Sequence, residues 1–287
     1  MHDNGTRPRR MRAESTRTRY VRSVAAGYAS VLRFAVVALL ALAASAHAEP
    51  DDLVARPIVL APGQLEAALV AEIDIAPGAV GTPTSLAPDA WYGVTERLTV
   101  GIVDSHSSID RFDPGASFCL STMVLACDHT YSGSGLDARY LVLDGPFAIA
   151  PRARFLVRDI DPWKPALAFG ALVRWTSGRF AVTADPYVQA GLAHVELGNR
   201  AELFVPLAFG VQPAAHWLVT LRTGYDSELD VWSDGYHIDA WLGATYAATA
   251  HLDVGAAAGF ASVLGPQASG KERQVFVTLD WATQTRR

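Results

Sequence analysis

A hydroxyl, an imidazole and a carboxylate brought together make a nucleophile, and Ser105, His106, Ser107 and Ser108 stand between Asp104 and Asp110. The run is contiguous and polar, as loops commonly are, so catalysis is not the expectation. Arg152, Arg154 and Arg158 recur at even spacing, which on an extended chain puts three guanidinium groups on one face, where they draw anions or pair with carboxylates. Cys119 and Cys127 are the two cysteines of the chain. In an exported protein such a pair is most simply a disulfide, and no clustered Cys/His spacing is present to hold zinc. His129, His194, His237 and His251 lack metal-ligand spacing. Neither a glycine-rich phosphate loop nor a dinucleotide fingerprint occurs, so no metal and no cofactor is expected.

The elements that must position these residues follow a period of two. From residue 64 onward almost every segment alternates apolar with polar or small residues, and no window carries a helical stripe. Val275, Val277, Leu279 and Trp281 fall on one face of the last segment and Gln274, Thr278 and Asp280 on the other, with Phe276 the one misfit. Twelve strands are expected, at 64–74, 85–94, 97–104, 136–144, 147–158, 166–175, 179–192, 201–211, 215–225, 236–247, 250–263 and 272–282. Their connections alternate short and long, the longest being 105–135, as an up-and-down barrel requires with both termini on the short-turn side.

Parity sorts the side chains. Arg97, Asp137, Arg139, Arg152, Arg154, Arg158, Arg174, Arg222, Asp239 and Asp253 share the polar face, read here as the lining of a lumen. Eight arginines and nine acids lie on that face, a balance that favours mutual pairing over an open cationic ladder. If Gly145-Pro146 makes a two-residue turn, Arg139 lies opposite Arg152 and Asp137 opposite Arg154. Both lysines, Lys164 and Lys271, fall in expected loops. Tyr92, Trp175, Trp217, Tyr246 and Trp281 share the apolar face near short turns, as an interfacial girdle would. Loop 105–135 contains Phe112, Phe118, Met123, Val124 and Leu125, apolar enough to fold into a barrel mouth as a constriction or lid.

The amino-terminal region is unlike the rest. Eight arginines precede the apolar run Phe34–Ala44 and the small-residue site Ala46-His47-Ala48, the layout of a cleavable signal peptide over 1–48. The run is too short to span a bilayer as a helix. The formal charge of −5 therefore averages a basic leader and a mature chain near −11, which excludes nucleic acid as a natural partner. With half the residues apolar and 18% charged, the chain is no disordered protein either. The expected organisation is a signal at 1–48, a periplasmic lead segment at 49–63, a barrel at 64–282 and a short tail at 283–287.

The signal peptide, the tight hairpin Trp91-Tyr92-Gly93-Val94-Thr95-Glu96-Arg97-Leu98-Thr99-Val100-Gly101 and the closing strand Val275–Trp281 together resemble Gram-negative outer-membrane β-barrel proteins, the porin-like and transporter-like barrels above all. The resemblance implies an all-β, up-and-down antiparallel transmembrane barrel, exported to the outer membrane. Its partners would be membrane lipid, the barrel-assembly machinery during biogenesis, and small solutes. The leading expectation is a passive channel for small hydrophilic solutes. A closed barrel with a structural or adhesive role is the alternative, and a surface lipid-modifying hydrolase the second alternative. Barrels of this kind usually end in an aromatic residue, whereas this chain runs on through Ala282 to Arg287.

Overall fold

The computed structural model describes residues 52–78, 80–81, 84–105, 118–120, 133–266, 268 and 273–283. The expected signal peptide, the tail beyond Thr283, and His106, Asp110, Cys127, His129 and Lys271 lie outside them.

Twelve strands form the wall. They are β1 (Leu65–Asp74), β2 (Thr84–Gly93), β3 (Leu98–Val103), β4 (Ser134–Tyr140), β5 (Phe147–Ile160) and β6 (Trp163–Ser177), then β7 in two pieces (Phe180–Ala184 and Tyr187–Gly191), β8 (Glu202–Ala214), β9 (Trp217–Glu228), β10 (His237–Ala247), β11 (Leu252–Leu264) and β12 (Arg273–Ala282). Each pairs antiparallel with its sequence neighbours, and β1 pairs with both β2 and β12, so the sheet closes on itself and leaves no edge. A two-residue piece, Phe118–Cys119, also pairs with Ser85 and Leu86 of β2.

Alternation decides which side each residue takes. On β10, Trp241 is 6% exposed while its neighbour Leu242 is 63% exposed. A one-residue slip of register would exchange those faces along the whole strand. Leu69, Ile102, Leu136, Phe169, Phe209 and Leu279 are exposed on the outer surface with Leu242. Inward residues make two apolar clusters, one of Val103, Leu156, Ala166, Ala168, Tyr187 and Phe204, the other of Val70, Ala87, Trp241, Ala261 and Phe276. Gly101 of β3 is inward too, and a Cβ there would sit 2.3 Å from Cδ1 of Trp91, so a bare backbone is what gives the indole its place.

The wall departs from expectation in two places. The connection expected at 159–165 shrinks to residues 161–162, because β5 continues to Ile160 and β6 begins at Trp163. Lys164 accordingly lies in a strand, 3.3 Å from Asp159. Turn-forming residues in that stretch, two prolines among them, suggested a longer loop than the ladder needs. In addition β7 is broken at Asp185-Pro186, where proline has no N–H to give. The ladder survives the break because Asp185 N–H donates to the Pro206 carbonyl (3.1 Å) and the Pro186 carbonyl accepts from Ala171 N–H (3.1 Å).

Candidate functional site

The register of β4 with β5 places Asp137 opposite Arg154 and Arg139 opposite Arg152. Asp137 becomes the centre of a charge cluster. Its Oδ1 accepts from Arg152 Nε at 2.5 Å, Arg154 Nε lies 3.6 Å away, and its Oδ2 is 3.4 Å from Arg139 Nε. The second acid is Asp185, at the break in β7, which accepts from Arg152 Nη1 and, at 2.5 Å, from Arg154 Nη2. Two of these cations also lie over rings: Arg139 over Trp91 at 5.3 Å and Arg154 over Tyr187 at 4.5 Å. Toward the long-loop end, Arg158 donates to Glu202 at 3.0 Å. The arginines are thus latched to lumen carboxylates.

On the opposite wall the misfit of the last strand finds its reason. Phe276 points inward and packs on Trp241 with ring centroids 4.8 Å apart, while Trp241 Nε1 donates to Asp239 at 2.7 Å. Arg222 is half-buried on β9, and Arg174 and Asp253 are buried near the short turns. Arg97 is the departure from the sequence reading: it falls in the turn before β3 and is exposed, so it does not line the lumen wall.

Residues 52–62 hold the largest surprise. This segment lies against inward-facing residues of seven strands at the short-turn end and forms a strap across it. The N–H groups of Leu53 and Val54 donate to the Gln212 side chain of β8 at 2.9 and 3.4 Å, and Arg56 forms a two-bond ion pair with Asp253 of β11. The Ile58 carbonyl accepts from Arg139 of β4 at 3.3 Å, and Leu60 N–H donates to Thr99 Oγ1 of β3 at 2.7 Å. Ile58 and Val59 sit among Leu141, Ala148, Ala150 and Leu172. At the β2 end a Cβ on Gly93 would lie 2.0 Å from the Ala61 carbonyl oxygen, so glycine is required for the close approach. Leu53, Val54, Ile58 and Val59 are all buried, each worth about 1.5–3 kcal/mol over exposure. Sequence reasoning missed the strap because Pro57 and Pro62 break any period, although five apolar residues without an assigned partner were a signal.

Two cavities border the strap. One of about 250 Å³ lies between Pro57, Ile58 and Leu60 and the wall residues Glu66, Trp91, Arg139, Arg152 and Leu172. The other, of about 700 Å³, lies between the strap and the turns around Glu96 and Gly145.

Outside the barrel, Tyr92, Trp175 and Trp281 are exposed at the short-turn end, and Trp217 is half-buried there. Tyr246 differs from its companions. It packs against Trp217 in a tilted pair with ring centroids 4.9 Å apart and is only 2% exposed. Tyr140, Phe147 and Phe180 are exposed near the same end and escaped the sequence reading. The Ser105 hydroxyl is committed elsewhere: it donates to Asp89 at 2.6 Å, and the N–H groups of Asp104 and Ser105 donate to the same carboxylate, which anchors the start of the long loop. Among the described residues no group of His, Cys, Asp and Glu is placed to hold a metal.

No protein-family model and no curated relative matches the chain. Solved structures do. A KdgM porin in complex with disordered oligogalacturonate is similar at TM-score 0.53 and 8% identity, over 75% of this chain and 98% of that one. The NanC porin in a rhombohedral crystal form is similar at TM-score 0.55 and 6% identity, with the same coverage. At such identities the likeness shows fold and nothing finer: the chain has the fold of outer-membrane porins.

Proposed function

We propose that this protein resides in the outer membrane of a Gram-negative bacterium and is a passive channel for small hydrophilic solutes, with residues 105–135 as constriction or lid. The closed barrel with charges inside and an apolar outer surface carries the reading, since a soluble barrel would reverse those faces. Lipid covers the outer face, the aromatic rings at the short-turn end form the interfacial girdle, and the assembly machinery inserts the barrel. A Cys119–Cys127 disulfide staples the loop, and the leader 1–48 directs export. The similar KdgM porin was solved with an oligogalacturonate, a hydrophilic solute, which fits a channel role for this fold. The arginine cluster is then a structural part of the lumen wall, and Arg158, at the long-loop side, faces entering ions.

The strap and the latched arginines favour a second reading, a barrel closed at rest. Conductance of the purified protein in planar bilayers separates the two. Discrete openings whose size follows salt concentration support the channel, and a folded, silent barrel refutes it. Arg158→Ala should leave Glu202 without its cation and raise cation over anion permeability by roughly fivefold, the factor set by about 1 kcal/mol for two charges 4 Å apart in water. The reversal potential in a salt gradient measures this directly.

A further inference from the structure

We propose that the strap is a hinged gate, latched by Arg56 on Asp253 and pivoting at Pro62-Gly63, and that its release opens the short-turn end of the barrel. This rests on the channel reading above and adds its regulation. Pro57, Ile58 and Leu60 line both the cavity of about 250 Å³ beside Trp91 and Arg152 and the cavity of about 700 Å³ beside the turns at Glu96 and Gly145. The strap is therefore a partition one chain thick, and with it away the two spaces become one passage. Its path is central as well. Arg56 holds β11, while Ile58, two residues on, packs against Ala148 and Ala150 of β5. In a ring of twelve strands β5 and β11 stand six apart, on opposite walls, so the chain crosses the middle of the mouth.

The two ends of the strap are held differently. At Gly63 the chain enters the wall: Gly63 N–H donates to the Gly93 carbonyl at 2.8 Å, and Gly93 N–H donates to the Gln64 carbonyl at 2.9 Å. Gly63 itself takes a φ of +76°, a turn that glycine makes without strain, so the pivot is built into the backbone. The far end has side-chain holds in place of a ladder. Leu53 and Val54 N–H donate to the Gln212 amide oxygen, and the Arg56 guanidinium grips both oxygens of Asp253. Asp253 lies opposite Asp280 of β12, and both face inward. Two carboxylates so placed repel each other, and the Arg56 charge offsets that repulsion when the strap is docked. Ordering the eleven residues 52–62 costs conformational entropy at each one, which the burial of Leu53, Val54, Ile58 and Val59 counters. With those two effects opposed, the charged latch sets the balance.

Single-channel recording of the purified protein in planar bilayers tests the gate. Wild type should be mostly closed, with openings of one size. Deletion of residues 49–62 should give channels that stay open at that same unit conductance, because the open state is the state without the strap in place. Arg56→Gln and Asp253→Asn should each raise the ratio of open to closed time about tenfold, as loss of a hydrogen bond to a charged group does, and the double variant should go no further. Arg200→Gln breaks an ion pair with Glu228 at the long-loop end and should leave the ratio unchanged. Equal ratios in wild type and deletion variant overturn the gate. An open deletion variant beside an unchanged Arg56→Gln, or an equal rise with Arg200→Gln, overturns the latch. Silence of every variant, in barrels shown to be folded, refutes the channel reading itself.

Discussion

Asp137→Ala should lower the stability of the barrel by about 3–5 kcal/mol, the cost of removing one partner from a buried ion pair. The carboxylate has no exposed side-chain surface and faces Arg139, Arg152 and Arg154 within 3.6 Å. Its removal leaves Arg152 and Arg154 to share Asp185, which does not touch Arg139. Arg139 would then keep the Ile58 carbonyl, the Trp91 ring and the weaker attraction of Glu66 and Asp185. Urea unfolding in lipid vesicles, followed by tryptophan fluorescence, measures the effect. Asp137→Asn, which keeps the shape and some of the hydrogen bonding, should fall between wild type and Asp137→Ala. An Asp137→Ala barrel within about 0.5 kcal/mol of wild type, the range of an ordinary surface change, would mean that the cluster does not form.

Leu242→Arg should cost about 2–4 kcal/mol in the same assay, the cost of an arginine on the lipid face of a barrel near the bilayer midplane. Leu242 is at the centre of β10, and its cross-strand partners Leu221 and Ala258 face outward with it. The penalty should fall to about 0–1 kcal/mol for Leu252→Arg, close to a short turn, where the side chain reaches water. Equal costs at the two positions would argue that the outer surface does not lie in lipid.

These two experiments address what the sequence made legible and what it hid. Alternation placed Leu242 outside and Trp241 inside, because a strand's side chains take opposite faces whatever else the chain does. Counting from a two-residue turn at Gly145-Pro146 leads to the Asp137–Arg154 and Arg139–Arg152 pairs that the ladder shows, although β4 ends at Tyr140 and Leu143 bridges Ile149 one residue out of that register. Asp185 as a partner of Arg152 was out of reach. Their strands are separated by β6, so although parity puts both residues on the inward face, no local pattern links them. Phe276 read as a misfit for a similar reason: its partner Trp241 lies two strands away across β11. The strap was hidden because it has neither period nor pairing, and its fit depends on positions spread over seven strands. Arg97 was drawn into the lumen list by parity carried one residue past the true start of β3.

The position of the strap also orders events during assembly. Its anchors Gln212 and Asp253 belong to β8 and β11, far along the chain, while the strap itself precedes β1. Docking therefore cannot be completed until the later strands are in place. The seam between β1 and β12 likewise joins the two extremes of the wall. A barrel held before that seam closes would leave residues 52–62 undocked and open to a protease. Resistance to cleavage in that stretch would then report completed folding.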